Sequence, residues 1–168
     1  MSLSMYQASA PIFLRQFAAL TAIIDTAQAF AKAGGLDEAE FIDARLAPDM
    51  LNFAKQVQIA TDGAKAGIGR LAGIEIPAFA DTETTFDELK ERIARTVAFI
   101  QSVPAASVDG SEDKAIVFKI RDNELNFVGQ PFLLHFVLPN FFFHVTTAYA
   151  ILRHKGVQIG KRDFLGGI

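Results

Sequence analysis

Leu138-Pro139-Asn140-Phe141-Phe142-Phe143-His144-Val145-Thr146-Thr147-Ala148-Tyr149-Ala150-Ile151-Leu152 is the stretch on which the fold turns. It closes a longer run, Leu125 to Leu152, that contains no Asp, Glu, Lys or Arg. A run of that length is long enough to cross a bilayer. Its polar content argues otherwise: Asn126, Gln130, Pro131, His135, Pro139, Asn140, His144, Thr146 and Thr147 all fall inside it. Its first part also alternates like a strand. The run therefore reads as a helical lead-in from Pro131, then a fully buried central helix from about Pro139 to Lys155, with Gly156 as its C-cap.

A buried helix needs other helices around it, and the chain upstream supplies three. The first runs from about Ser4 to Lys32. Tyr6, Ala10, Phe13, Phe17, Leu20, Ile24, Ala27 and Ala31 recur three and four apart, and Gly34-Gly35 ends it. Between Tyr6 and Ala31 only Arg15 and Asp25 are charged, so part of its far face is expected to be covered too. A connector spans Asp37 to about Ala44. Pro48-Asp49 then opens a second helix to about Leu71, with Met50, Phe53, Val57, Ala60, Ala64 and Leu71 on its stripe. Gly63, Gly67 and Gly69 mark either close approach of a neighbour or a frayed end.

After a loop from Ile76-Pro77 to Thr84, Thr85-Phe86-Asp87-Glu88 is a capping box. Phe86, Leu89, Ile93, Val97 and Ile100 line one side of the third helix, and Lys90, Glu91, Arg92 and Arg95 are read as facing water. A polar loop, Pro104 to Lys114, leads to a β-hairpin. Ile116, Phe118 and Ile120 alternate on one arm, Asp122-Asn123 makes the turn, and Leu125 and Phe127 alternate on the other. An isolated hairpin is marginal in water, so it must lie on the bundle. The expected fold is mainly α: one domain over residues 1–168, a four-helix up-and-down-type bundle with a long crossover, and a small β-hairpin before the last helix.

Composition narrows the function classes. Of 168 residues, 51% are hydrophobic and 21% charged, with 16 Phe and no Trp, which points to a large dry core, a dry interface, or both. With the sparsely charged first helix, this leads to the expectation of a homodimer. A net charge of −3 offers no basic face to nucleic acid. The basic cluster Arg153, Lys155, Lys161 and Arg162 follows the last helix, where cations complement the helix dipole. The chain has no Cys, which removes disulfides, thiolate metal sites and a cysteine nucleophile. Its first residues lack a basic n-region and a cleavage site, so a cytoplasmic location is expected.

Walker, GxGxxG, HExxH and GxSxG motifs are absent. Chemistry is left to one polar patch. Asn140, His144 and Thr147 share a helical face, and an unpaired buried polar group costs about 1–3 kcal/mol. Asn52 and Gln56 on the second helix, one turn apart and off its apolar stripe, are the cross-bundle candidates. The five form either a structural hydrogen-bond network or a ligand or metal pocket inside the bundle.

Phe143-His144-Val145-Thr146-Thr147-Ala148-Tyr149-Ala150-Ile151-Leu152-Arg153-His154-Lys155-Gly156 resembles the last helix of the DinB/YfiT-like four-helix bundles. His144, Leu152, Arg153 and Gly156 carry that family's spacing. Leu46-Ala47-Pro48-Asp49-Met50, Pro139-Asn140-Phe141 and Gly160-Lys161 resemble a bacterial branch described as a domain of unknown function. The resemblance implies a divalent metal held by three His, one on the second helix and two on the last, in metalloenzymes and thiol-dependent transferases and isomerases. This chain departs from that pattern: the first His of the last-helix pair falls at Asn140, and the second helix has no His, with Gln56 near the ligand position. One imidazole and two amides are a poor donor set for a transition metal, and a carboxylate such as Asp49 or Asp62 could add to it only if the helix rotation allowed. His135 and His154 lie about 14–15 Å away along the helix axis. The expectation is a degenerate site with no cofactor. The alternative is a metal-dependent transferase, isomerase or hydrolase with His144 as a ligand.

Overall fold

The structure, a computed structural model, describes residues 3–120 and 122–167. Helix α1 (Ala10–Gly34) starts later than Ser4, because Pro11 sits in its first turn, where a missing N–H costs nothing. Gly35 ends it in the left-handed conformation, φ 63°, which glycine adopts without strain. After α2 (Ala39–Ile42), α3 (Phe53–Ala72) also starts later than Pro48-Asp49. Its N-cap is Asn52, whose side chain accepts the Lys55 N–H at 3.0 Å. Helix α4 (Phe86–Ser102) carries the Thr85/Glu88 capping box, and α5 (Ala105–Val108) follows.

Strands β1 (Ala115–Ile120) and β2 (Asn123–Val128) pair antiparallel. Ile120 faces Asn123, which puts Asn123 in the second arm instead of the turn. Phe118 and Phe127 pack on Phe132 and Phe136 at centroid separations of 5.3 to 5.8 Å, seating the hairpin on the bundle. A single turn, α6 (Gly129–Pro131), leads into a π-helical segment, Phe132–Val137, and then α7 (Leu138–His154). The widened segment ends two residues before Pro139, whose ring would clash with the carbonyl four residues back in a regular α-helix. Helix α8 (Lys161–Phe164) closes the chain against α1. Among the described residues, no helix is long and apolar enough to cross a membrane.

Side-chain meetings give the topology. Gln56 meets His144 and Gly67 meets Val137, so α3 and α7 are antiparallel. Thr61 meets Arg92 and Gly69 lies beside Phe99, so α3 and α4 are parallel. Parallel neighbours need a long return, and residues 73–85 provide it. This crossover runs back along α3, with Ile76 beside Gly69, Phe79 over Lys65 and Asp81 on Lys55. Helix α1 pairs with α4 through Lys90–Asp25 and with α7 through Phe13 and Phe17 on Phe141.

Two expectations are corrected here. Arg92 does not face water. It is 1% exposed and clamps the crossover to α3. Its Nε donates to Thr61 Oγ1 (2.8 Å), and its Nη1 donates to Ala80 O and Glu83 Oε1 (both 3.0 Å). Nη2 lies 3.0 Å from both Asp62 and Asp81, in ionic contacts made off the N–H axes. A guanidinium can be buried when carboxylates surround it, and the crossover brings two of them. Nor is α7 fully buried: Phe141, His144, Val145, Ala148, Ile151 and Leu152 face inward, but Pro139, Phe143 and Thr146 are exposed. A ring of four helices leaves each an outer face.

Gly129 is the tightest backbone approach. A Cβ there would stand 1.9 Å from the Ser111 carbonyl oxygen. Gly129→Ala should therefore cost about 3 kcal/mol, the upper end of ordinary overpacking, read as a lower midpoint in urea denaturation. An unchanged midpoint would contradict this packing of the β2–α6 junction.

Candidate functional site

Gln56 stands four residues after the Asn52 cap and is 2% exposed. Its Nε2 donates to the Leu51 carbonyl (3.0 Å), which leaves Oε1 turned to α7, 2.7 Å from His144 Nδ1. Two facing acceptors would repel, so Nδ1 carries the proton and donates. The Nε2 atom of His144 then holds the lone pair. The ring is 9% exposed, with its edge to Phe143 (5.2 Å between centroids). Burial lowers its pKa from the ordinary histidine value, which favours the neutral imidazole.

The other candidates point elsewhere. Thr147 is buried, but its hydroxyl donates to the Phe143 carbonyl of its own helix at 2.7 Å. Asn140 is half-buried against Gly63, where an added Cβ would come within 3.2 Å of its Nδ2. Asn52 is spent on the α3 cap and on Asp43 Oδ1 (3.1 Å). Of the five candidates, only His144 and Gln56 bond to each other side chain to side chain. Beside them, Leu46, Phe142, Phe143, Thr146, Thr147 and Ala150 line a shallow apolar groove of about 410 Å³.

This set does not fit a divalent metal. One imidazole nitrogen is committed to an amide oxygen, and the other nitrogen-bearing candidates are neutral amides, which are weak metal ligands. Asp62 is held by Lys65 and Arg92 at 3.0 Å each. His135 and His154 are exposed. Among the described residues, no group of three or more His, Cys, Asp or Glu is placed to hold a metal ion.

The larger polar cluster, around Arg92, was missed in the sequence. Its signal was positional: Arg92 lies three residues after Leu89 and four before Thr96, inside the buried stripe of α4. Lys65, 3% exposed, is the matching case on α3; its Nζ sits 3.6 Å over the Phe79 ring.

Removing the His144 ring should leave Gln56 Oε1 unanswered. His144→Ala is expected to lower stability at pH 8 by about 1–3 kcal/mol. A histidine with a depressed folded-state pKa stabilises fully above its unfolded value of about 6.5 and loses that contribution as pH falls through the folded value. The gap between wild type and His144→Ala should thus narrow in urea melts from pH 8 to pH 5. A gap that widens at acid pH would contradict the neutral, buried ring.

A family model described as a domain of unknown function (DUF1993) matches residues 5–165. A solved structure, a DinB family member from Shewanella denitrificans, shares 37% identity with a TM-score of 0.86, covering 97% of this chain and 92% of that one. No curated protein matches. The family match spans α1 to α8, and the solved structure shares the bundle fold. The chain belongs to the DUF1993 family.

Proposed function

We propose that this protein is a DinB-like bundle whose metal site has degenerated into the direct His144–Gln56 hydrogen bond, and that it works as a binding or scaffold protein without a divalent metal. The observation that carries the reading is the 2.7 Å contact between the two side chains. It links α3 to α7 where the family resemblance puts metal ligands. The apolar groove beside it offers room for a small molecule.

Elemental analysis of untagged protein prepared without a nickel column tests this. Wild type and His144→Ala should both carry far less than one metal per chain. Stoichiometric metal in the wild type, lost in His144→Ala, would replace the reading with that of a metal-dependent transferase, isomerase or hydrolase using His144 as ligand.

The homodimer belongs to the same proposal. Both charges of the α1 midsection are engaged within the chain: Arg15 donates to the Leu165 carbonyl and Asp25 accepts from Lys90. The outward stripe that runs past them is Ala18, Ala22, Thr26 and Ala29, all exposed. A second copy laid on this stripe would bury it at close range. Light scattering at high micromolar concentration should give twice the 18.3 kDa chain mass; a clean monomer would end the idea.

A further inference from the structure

Residues 75–83 of the crossover join α3 to α4 with no helix or strand of their own. Both ends of this stretch are pinned by helix caps. The Ile74 N–H donates to the Gly69 carbonyl (3.1 Å) just after Gly73, which is left-handed at φ 70°. At the other end the Thr84 and Thr85 N–H groups donate to Glu88 Oε2 (2.6 and 3.1 Å). Between the caps no residue is fully buried, and no backbone-to-backbone hydrogen bond ties the stretch to the described residues. Side chains hold it instead. Ile76 lies against Gly69, and Phe79 sits 3.6 Å from Lys65 Nζ and 4.1 Å from the Arg95 guanidinium carbon. Arg92 alone reaches the Ala80 carbonyl, Asp81 and Glu83, each at 3.0 Å. Lys65 and Arg92, the cations beneath, are both buried. A segment with few buried apolar contacts and no backbone ladder opens for less free energy than the whole fold.

We propose that residues 75–83 are a strap that lifts off α3 and α4 as one unit while the four long helices stay folded, uncovering Lys65 and Arg92. Two opposing terms make such a strap reversible. Closing it gathers carboxylates around a guanidinium, and opening it returns that guanidinium to water, which offsets much of the lost attraction. The Asp81 side chain is 40% exposed, so its pairs with Lys55 and Arg92 are screened by salt. Ionic strength therefore acts on the strap and spares the neutral His144–Gln56 contact on the other side of α3. Open, the strap leaves Lys65, Arg92 and Arg95 as a cationic slot between α3 and α4; closed, it fills that slot with Phe79, Asp81 and Glu83.

The full chain is acetylated at trace extent with sulfo-NHS acetate near pH 8, and each lysine is followed by peptide mass spectrometry with the exposed Lys32 as internal reference. Lys65 should react at least about tenfold more slowly than Lys32, because only the open strap presents it. Its rate should stay flat in urea below the unfolding transition, since lifting the strap exposes little surface. Raising NaCl from about 0.05 M to about 0.5 M, and separately Asp81→Asn, should each speed Lys65 relative to Lys32 by at least about threefold. Asp81 is exposed and pairs with Lys55 and Arg92, not with Lys65, so the effect of the variant reaches Lys65 through the strap. The urea midpoint of Asp81→Asn, measured alongside, should stay close to that of the wild type. A Lys65 rate that climbs with urea in step with global unfolding would overturn the proposal. So would a rate that ignores salt or Asp81→Asn, or a Lys65 as reactive as Lys32 in the wild type at low salt.

Discussion

Helix α3 lies close enough to the π-helical segment that leads into α7 that a methyl group on Gly67 would stand 2.5 Å from Val137 Cγ1. One turn earlier, Gly63 gives the same kind of room to Asn140. Near the start of α3, the spacing is bridged by the His144–Gln56 hydrogen bond. At an ordinary interhelical distance of 8–10 Å, only small residues permit approach along one stretch while two long polar side chains meet along another. The rest of the bundle is arranged around this pair. Helix α7 turns Phe141 onto Phe13 and Phe17, which fixes α1, and α3 turns its other polar face to α4.

That second face explains why the parallel α3–α4 pair is tolerated. The crossover must travel the length of α3 without secondary structure of its own, and it is held by side chains instead. Phe79 lies between Lys65 and Arg95, at 3.6 and 4.1 Å from their cationic groups, while Arg92 gathers Asp81, Glu83 and the Ala80 carbonyl. Burying one guanidinium is costly in isolation, but removing it here would leave the largely buried Glu83 without a cation, and Asp62 and Asp81 with a single lysine each. Polar chemistry in this molecule thus falls into two separate groups on opposite sides of α3: a neutral one facing α7 and a charged one facing α4.

Much of the fold was legible because local signals and tertiary packing agreed. The Thr85/Glu88 capping box, the apolar stripe of α1 and the alternation of Ile116 and Phe118 each appear as read. Helix starts were less legible, since Ser9 and Asn52 compete with upstream residues for the cap position and only the backbone decides between them. Arg92 was misread because charge ordinarily means solvent. Its burial depends on Asp81 and Glu83, whose return to α3 is a tertiary event with no local trace. At the candidate site, shared helical face placed Asn140, His144 and Thr147 together but could not show where each hydrogen bond goes. Thr147 is absorbed by its own helix, and Asn52 by a cap.

A direct hydrogen bond, with the proton on His144 Nδ1, joins α3 to α7 at Gln56 Oε1. Long-range ¹H–¹⁵N correlation of the His144 ring, near pH 8 in metal-free untagged protein, reads the tautomer directly. The expected result is a protonated Nδ1 and an unprotonated Nε2, unchanged when zinc is added at one equivalent. A proton on Nε2, or a zinc-induced shift of the Nδ1 resonance, would contradict it.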